Sequence, residues 1–201
     1  MKRLSYSQID EITELLLSEY VGVYPFDTIF GFIGIVTPTV EKKIASIKNR
    51  QEGHPFLMLV DSLESARKWV DIPCKFELFV KSVWPGPVTL VFRKKDNMGS
   101  SNLGTLAIRI PADMVLRTLI QRVGGAIYST SVNVSGERSC LTESTIPDSI
   151  KKCLDFFVTA DDKLSNRVAS TIVDCTFNTP IVLRNGDNVK GVLDMINCIE
   201  K

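Results

Sequence analysis

The sequence predicts one α/β domain over residues 1–201, built on a mixed parallel and antiparallel sheet flanked by helices. Three observations predict it. Short continuous apolar runs, such as Phe56-Leu57-Met58-Leu59-Val60, are bounded by turn residues and read as strands buried on both faces. Stretches with apolar residues at helical spacing lie among them, without the strict alternation of a purely parallel sheet. No repeat, low-complexity tract or linker interrupts the chain.

Taken in order, Ser7 is placed to cap a helix over Gln8–Glu19, whose Ile9, Ile12, Leu15 and Leu16 share a face. Val21–Tyr24 is a short buried strand that Pro25 ends, because proline has no N–H for a sheet ladder. Asp27-Thr28 then lies where a strand opens into a loop, the usual place for a ligand in an α/β sheet. Pro38-Thr39 starts a second helix with Val40, Ile44 and Ile47 inward, running out at Lys48 and Arg50. Those two cations either complement the helix dipole or meet a ligand. After the Phe56–Val60 strand, Ser62 caps a helix that turns Ala66 and Trp69 inward, and another helix covers Lys75–Val83. Trp84-Pro85-Gly86-Pro87 breaks the chain before a strand at Val88–Phe92. Lys94–Gly104 is polar and reads as a mobile loop. Leu106–Ile110 is a strand ended by Pro111, and Asp113–Gln121 a helix closed by Gly124-Gly125. Ala126–Tyr128 is a short strand running into the loop Ser129–Gly136. A helix over Asp148–Leu154 and strands near Phe156–Val158, Thr171–Asp174 and Pro180–Leu183 complete the pattern.

Composition narrows the function. Hydrophobic residues at 44% and charged residues at 23% are ordinary for a soluble globular protein. A net charge of +1 lacks the general electrostatic footprint of a nucleic-acid binder and leaves only a local basic patch open. Met1–Ser5 has no long apolar core, so a signal peptide is not expected, and no run approaches the length of a membrane span. The five cysteines, Cys74, Cys140, Cys153, Cys175 and Cys198, show no C-x-x-C spacing and fit a reducing, cytoplasmic compartment. His54 is the only histidine, which excludes a multi-histidine metal site; an ordinary exposed loop histidine is the plain alternative.

Ser129, Thr130, Ser131, Asn133 and Ser135 place five hydrogen-bonding side chains in seven residues. Caps and turns would use two or three of them, and hydroxyls beside backbone N–H groups suit phosphate or carboxylate oxygens. No G-x-x-x-x-G-K-[ST], G-x-G-x-x-G or G-x-S-x-G is present, so a P-loop, a dinucleotide fingerprint and a nucleophile elbow are all missing. Arg109, within an apolar strand, either reaches solvent from its polar face or meets an anion; Arg184 repeats the situation, and Ser170-Thr171 precedes a further strand. Lys48, Arg50, Arg109 and Arg184 together would form a cationic site suited to a polyanionic small ligand.

Seven blocks stand in series from residue 23 to 186. Tyr24–Gly31 is similar to Y-P-T-[DE]-T-x-[YF]-G, and Lys48-Asn49-Arg50 with His54-Pro55 to K-x-R, a short loop and proline. Trp84–Val91 is similar to W-P-G-P-[VL]-T-[LF]-V, and Ala107–Pro111 to A-[VI]-R-[VI]-P. Ser129–Gly136 follows S-x-S-[AV]-N-x-S-G, Ser170–Asp174 follows S-T-[IV]-V-D, and Val182–Gly186 is similar to [IL]-L-R-x-G. In series they resemble the YrdC-like family, the threonylcarbamoyl-AMP synthases of tRNA modification. The resemblance implies a twisted mixed sheet around a concave, positively charged cavity. It implies a nucleotidyltransferase that joins L-threonine, bicarbonate and ATP, with Mg²⁺, into threonylcarbamoyl-AMP and pyrophosphate. By position it assigns Lys48, Arg50, Ser131 and Asn133 to catalysis. Lys48, Arg50, His54, Thr105, Ser129, Ser139 and Arg184 fall to ATP; Thr28, Arg109, Ser131 and Ser170 fall to threonine. It further implies a short single-domain form that hands its product to tRNA-modifying partner proteins, with weak double-stranded RNA binding and no membrane. Two positions depart from the family: Phe26 stands where threonine is usual, and Leu59 where some relatives carry a histidine. A divergent paralogue that binds nucleotide or RNA without threonine-dependent synthesis is the competing reading.

Overall fold

The structure, a computed structural model, describes residues 1–50, 56–95, 104–140, 142–159 and 168–199. In chain order its elements are β1 (Lys2–Ser5), α1 (Ile9–Leu17), β2 (Gly22–Pro25), β3 (Phe30–Ile35), α2 (Pro38–Ile47), β4 (Leu57–Val60), α3 (Leu63–Trp69) and β5 (Val70–Asp71). There follow α4 (Glu77–Val83), β6 (Val88–Lys94), β7 (Thr105–Arg109), α5 (Met114–Arg122), β8 (Ala126–Ser131), α6 (Asp148–Lys151), β9 (Phe156–Thr159), β10 (Thr171–Asp174), β11 (Ile181–Arg184) and α7 (Val189–Ile199). The strands form one mixed sheet in the order β1-β9-β2-β3-β8-β4-β7-β6-β10-β11, with β5 alongside β6. β4–β7 and β6–β10 are parallel; β3–β8, β8–β4 and β7–β6 are antiparallel.

Side-chain alternation divides the sheet into two unequal faces. On one, Phe32, Tyr128, Met58, Ile108, Leu90 and Val173 pack beneath α2, α3, α4 and α7 through Val40, Ile44, Ala66, Phe79, Val80, Val192 and Ile196. On the other, Ile33, Leu59 and Ile127 join Tyr24 and Phe26 beneath α1 and α5, through Ile12, Leu16, Leu116, Leu119 and Ile120. This second core is the smaller. Leu59 pairs in register with Arg109, Ile33 with Ser129, and Gly31 with Ser131, so the polar side chains continue the same face beyond the apolar ones. That uncovered stretch is the floor of the site.

Several elements differ from expectation. α1 begins at Ile9 without a side-chain cap; Ser7 does not cap it, and the Gln8 Oε1 instead accepts the Ser5 N–H at 2.7 Å. α2 is capped by Thr37, whose Oγ1 accepts the Val40 N–H at 3.3 Å. Ser62 caps α3 as expected, its Oγ accepting the Ser65 N–H. β1, β3, β5 and α7 lie outside the expected elements, α6 stops at Lys151, and β8 runs on through Ser131. The expected mobile loop at Lys94–Gly104 and the site residue His54 fall largely or wholly outside the described residues. No helix among the described residues is long and apolar enough to cross a membrane.

Candidate active site

The end of α2 aims the first part of the site. Asn49 adopts φ +49°, the Asn49 N–H bonds the Ser46 carbonyl at 3.1 Å, and the Arg50 N–H bonds the Ala45 carbonyl at 2.9 Å. This is a Schellman closure with asparagine in the left-handed position. It reverses the chain at the last turn, so Lys48 and Arg50 do more than complement the helix dipole. Lys48 is 3% exposed, and its Nζ donates to the Ser131 carbonyl (2.6 Å), the Asn133 carbonyl (3.0 Å) and Asn133 Oδ1 (2.7 Å). Asn133 Oδ1 also accepts from Ser131 Oγ at 2.7 Å, while its Nδ2 donates to the Val134 and Glu137 carbonyls. The Ser135 N–H returns to the Lys48 carbonyl. All three ammonium protons are therefore used within the chain. Burial, then the neighbouring Arg50, pushes the Lys48 pKa down to about 8. Arg50 stacks over Phe56 at 5.2 Å, and partial burial lowers its pKa too.

Two adjoining compartments open from the uncovered sheet face. The more enclosed one, about 340 Å³, is lined by Thr28, Thr89, Arg109, Ser129, Ser170 and Arg184, with Phe26, Leu57 and Ile172 among its apolar walls. The more open one, about 500 Å³, is bounded by Lys48, Asn49 and Arg50 on one side and Ser131, Asn133, Ser135 and Gly136 on the other. Arg50, Thr130 and Ser131 line both. Among the described residues, the enclosed lining carries three guanidiniums and no carboxylate.

Arg109 is 1% exposed and settles the choice left open by its strand: it neither reaches solvent nor stands alone. Its Nη1 donates to Asp27 Oδ1 at 2.7 Å, and Asp27 Oδ2 accepts the Ala112 N–H at 3.1 Å. Its Nε has no partner among the described residues, a buried donor that costs about 1–3 kcal/mol if nothing takes it. Arg184, at the end of β11, donates from Nε and Nη2 to the Ser170 carbonyl and from Nη2 to Ser170 Oγ at 3.1 Å. Partial burial, then repulsion from Arg109, lowers its pKa. Thr89 Oγ1 lies 2.9 Å from Ser170 Oγ.

The structure thus gathers Thr28, Arg50, Arg109, Ser129, Ser131, Ser170 and Arg184 into one enclosed compartment, and Lys48, Arg50, Ser131 and Asn133 around the open one. Ser129 and Arg184 lie with Thr28 and Arg109 rather than with Lys48. Thr105, half-buried at the start of β7, and Ser139, half-buried after Gly136, line neither compartment. Leu59 is fully buried in the second core and does not reach the cavity, whereas Phe26 does. Sequence reasoning missed Thr89 and the partnership of Asp27 with Arg109. Thr89 left a signal, as the fixed threonine of the W-P-G-P-[VL]-T-[LF]-V block and as a hydroxyl between Val88 and Leu90, but the resemblance attaches no role to it. The Asp27 partnership spans 82 residues and left none. No group of three histidine, cysteine, aspartate or glutamate residues among those described could hold a metal ion.

Comparison with known proteins follows the same outline. A family model described as telomere recombination, spanning the Sua5, YciO and YrdC proteins, matches residues 14–186. The chain is 27% identical over 168 residues to the threonylcarbamoyl-AMP synthase of Pyrococcus abyssi, which covers 81% of this chain and 49% of that protein. To the synthase of Bacillus subtilis it is 26% identical over 195 residues, covering 94% and 56% respectively. The chain therefore spans about half the length of these two relatives. Among solved structures, P. abyssi Sua5 complexed with L-threonine superposes with a TM-score of 0.85 at 22% identity, over 97% of this chain and 60% of that one. Escherichia coli YciO gives 0.79 at 20% identity, over 92% and 94%. At these identities the structural likeness establishes the fold. The family match runs from within α1 to just past β11, through every strand that floors the cavity, and the chain belongs to the Sua5–YciO–YrdC family.

Proposed function

We propose that this chain makes threonylcarbamoyl-AMP from L-threonine, bicarbonate and ATP, the activated intermediate for the t6A modification of tRNA in the cytoplasm. The observation that carries the reading is the shared wall: Arg50, Thr130 and Ser131 belong to both compartments. The reaction needs such a wall. The threonine amine adds to the carbon of bicarbonate with loss of water, giving a carbamate. A carbamate oxygen then attacks the α-phosphorus of ATP in line and displaces pyrophosphate. No enzyme nucleophile is required, so the task is positioning two anions and offsetting their charge.

In this arrangement the enclosed compartment takes the amino acid, with Arg109 and Arg184 toward its carboxylate and Thr28, Ser129 and Ser170 as further polar contacts. The open compartment takes the triphosphate, with Arg50 reaching it from the shared wall. Lys48 and Asn133 keep the Ser131–Gly136 segment in the shape that presents its backbone. Mg²⁺ would be held by phosphate oxygens and water, the usual coordination where a protein supplies few ligands, and no step above depends on it. The labile adenylate would pass to tRNA-modifying partner proteins. The names of the curated relatives and the threonine complex of the P. abyssi neighbour support the choice of substrates.

A second reading rests on Phe26, whose ring lines the enclosed compartment where the family usually has threonine. It makes the chain a paralogue that binds nucleotide without threonine-dependent synthesis. Pyrophosphate release from ATP and bicarbonate, with and without L-threonine and beside an L-serine control, separates the two. Threonine-dependent release is the expected result. Binding of ATP with no amino-acid-dependent release overturns the synthase reading in favour of the paralogue.

A further inference from the structure

Thr89 is the one residue of β6 that lines the enclosed compartment, and it is 1% exposed between the fully buried Val88 and Leu90. A hydroxyl so placed needs a partner. Thr89 Oγ1 finds Ser170 Oγ at 2.9 Å. Ser170 Oγ also accepts from Arg184 Nη2 at 3.1 Å, and a guanidinium can only donate. The protons can then be counted. Two hydroxyls carry two protons, and the bond between them uses one. Arg184 supplies no acceptor, and among the described residues no other hydrogen bond engages either hydroxyl. Both residues line the enclosed compartment, so the second proton stays with a lining residue whichever of the two keeps it. A spare O–H donor is left on that wall, which Arg109 also lines. A leftover donor, three guanidiniums and no carboxylate among the described lining residues mark the place of an oxyanion.

We infer that Thr89 is a further substrate-contacting residue: with Ser170 it delivers one O–H to an oxygen of a carboxylate-class ligand held beside Arg109 and Arg184. Only the identification of that ligand as an amino acid rests on the synthase reading. In this arrangement Arg184 donates to Ser170, Ser170 to Thr89 and Thr89 to the ligand, so loss of the Thr89 hydroxyl takes away the donor at its own position, although the Ser170 proton remains on Ser170.

The test compares Thr89→Val, which keeps the branched shape, and Thr89→Ser, which keeps the hydroxyl, with the wild-type chain. Thr89→Ala serves in place of the valine variant should that one not fold. Calorimetric titration with L-threonine and with ATP reads the two compartments separately, and acetate, followed by NMR at millimolar concentration, is the probe carrying only a carboxylate. The expected result is a loss of threonine affinity of roughly tenfold or more in Thr89→Val, as for a hydrogen bond to a charged group. ATP affinity should stay within about twofold, and Thr89→Ser should return threonine affinity to within about threefold. Unchanged threonine affinity in Thr89→Val, or an equal loss for both ligands, overturns the inference. If the wild type binds acetate but not threonine, the synthase reading fails and the Thr89 comparison is decided with acetate. If it binds neither, both fall.

Discussion

Lys48 and Asn133 are joined across 85 residues by two hydrogen bonds from one ammonium, to the Asn133 carbonyl at 3.0 Å and to Oδ1 at 2.7 Å. With the third, to the Ser131 carbonyl, they make the end of α2 the support of the segment after β8. Lys48→Met keeps an aliphatic stem and removes the ammonium, which lies 5.4 Å from the Phe32 ring centroid. The variant should lose about 2 kcal/mol of stability, about 4 to 8 °C in Tm. ATP affinity should fall further than threonine affinity, because the released segment bounds the open compartment. A thermal melt that matches the wild type would show that Lys48 supports nothing.

The same lysine gives a pH dependence whose sign is fixed. Burial and Arg50 lower its pKa from 10.5 to about 8 in the folded chain. Between those values the unfolded chain binds the extra proton, so the contribution of this group to stability rises with pH across the window; the cost of the buried charge is fully present below about 8. ATP binding should run the other way, weakening above pH 8 as the ammonium loses a donor. Subtracting the Lys48→Met profile from that of the wild type isolates both trends; parallel profiles would exclude Lys48 as their source.

Much of this arrangement was legible in the chain, and the failures have physical causes. β2, β4, β7 and β10 announce themselves because their apolar runs stop at proline or aspartate, and β6 because its run starts directly after Pro87. β3 did not, because Gly31 and Gly34 dilute its strand signal. Both glycines answer to tertiary neighbours: a Cβ at Gly31 would lie 2.5 Å from the Phe26 ring, and one at Gly34 2.4 Å from Val40. β1 exposes Lys2 and Arg3 and buries only Leu4, so its pairing with β9 leaves little pattern. α7 carried a signal that was passed over, with Val192 and Ile196 four residues apart and both buried. The polar residues of the site were found as types, but were placed beyond strand ends. Ser129 and Ser131 instead lie within β8, on a sheet face that the helices leave open, and which face stays open depends on how far α1 and α5 extend.

The Asp27–Arg109 pair makes a third prediction. Their side chains are 15% and 2% exposed, so removing one partner strands a buried charge. Asp27→Ala should cost about 3 kcal/mol in urea unfolding, since it also deprives the Ala112 N–H of its acceptor. Asp27→Asn keeps an acceptor oxygen and should cost about half as much. Equal effects from the two variants would mean that the charge, which both remove, is all that Asp27 provides, whereas a near-neutral Asp27→Asn would mean that shape and an acceptor suffice without the pairing of charge.

Phe26 offers a test that does not depend on any ligand. Its ring is 2% exposed, packs against Tyr24 with centroids 5.3 Å apart, and occupies the space that a side chain at Gly31 would need. Phe26→Thr, which restores the residue type usual in the family, should cost about 3 kcal/mol, because the cavity it leaves lies in the second core beneath α1 and α5. Gly31→Ala alone should cost about 2 kcal/mol by forcing its methyl against the ring. In the double variant that contact is gone, although the Thr130 carbonyl still stands 3.1 Å from the new methyl. The combined loss should therefore fall short of the sum by about 1 kcal/mol, a coupling that a double-mutant cycle in urea resolves. Strict additivity would mean that Gly31 is required by β8 alone, and that the ring at position 26 could be replaced without regard to the strand beside it.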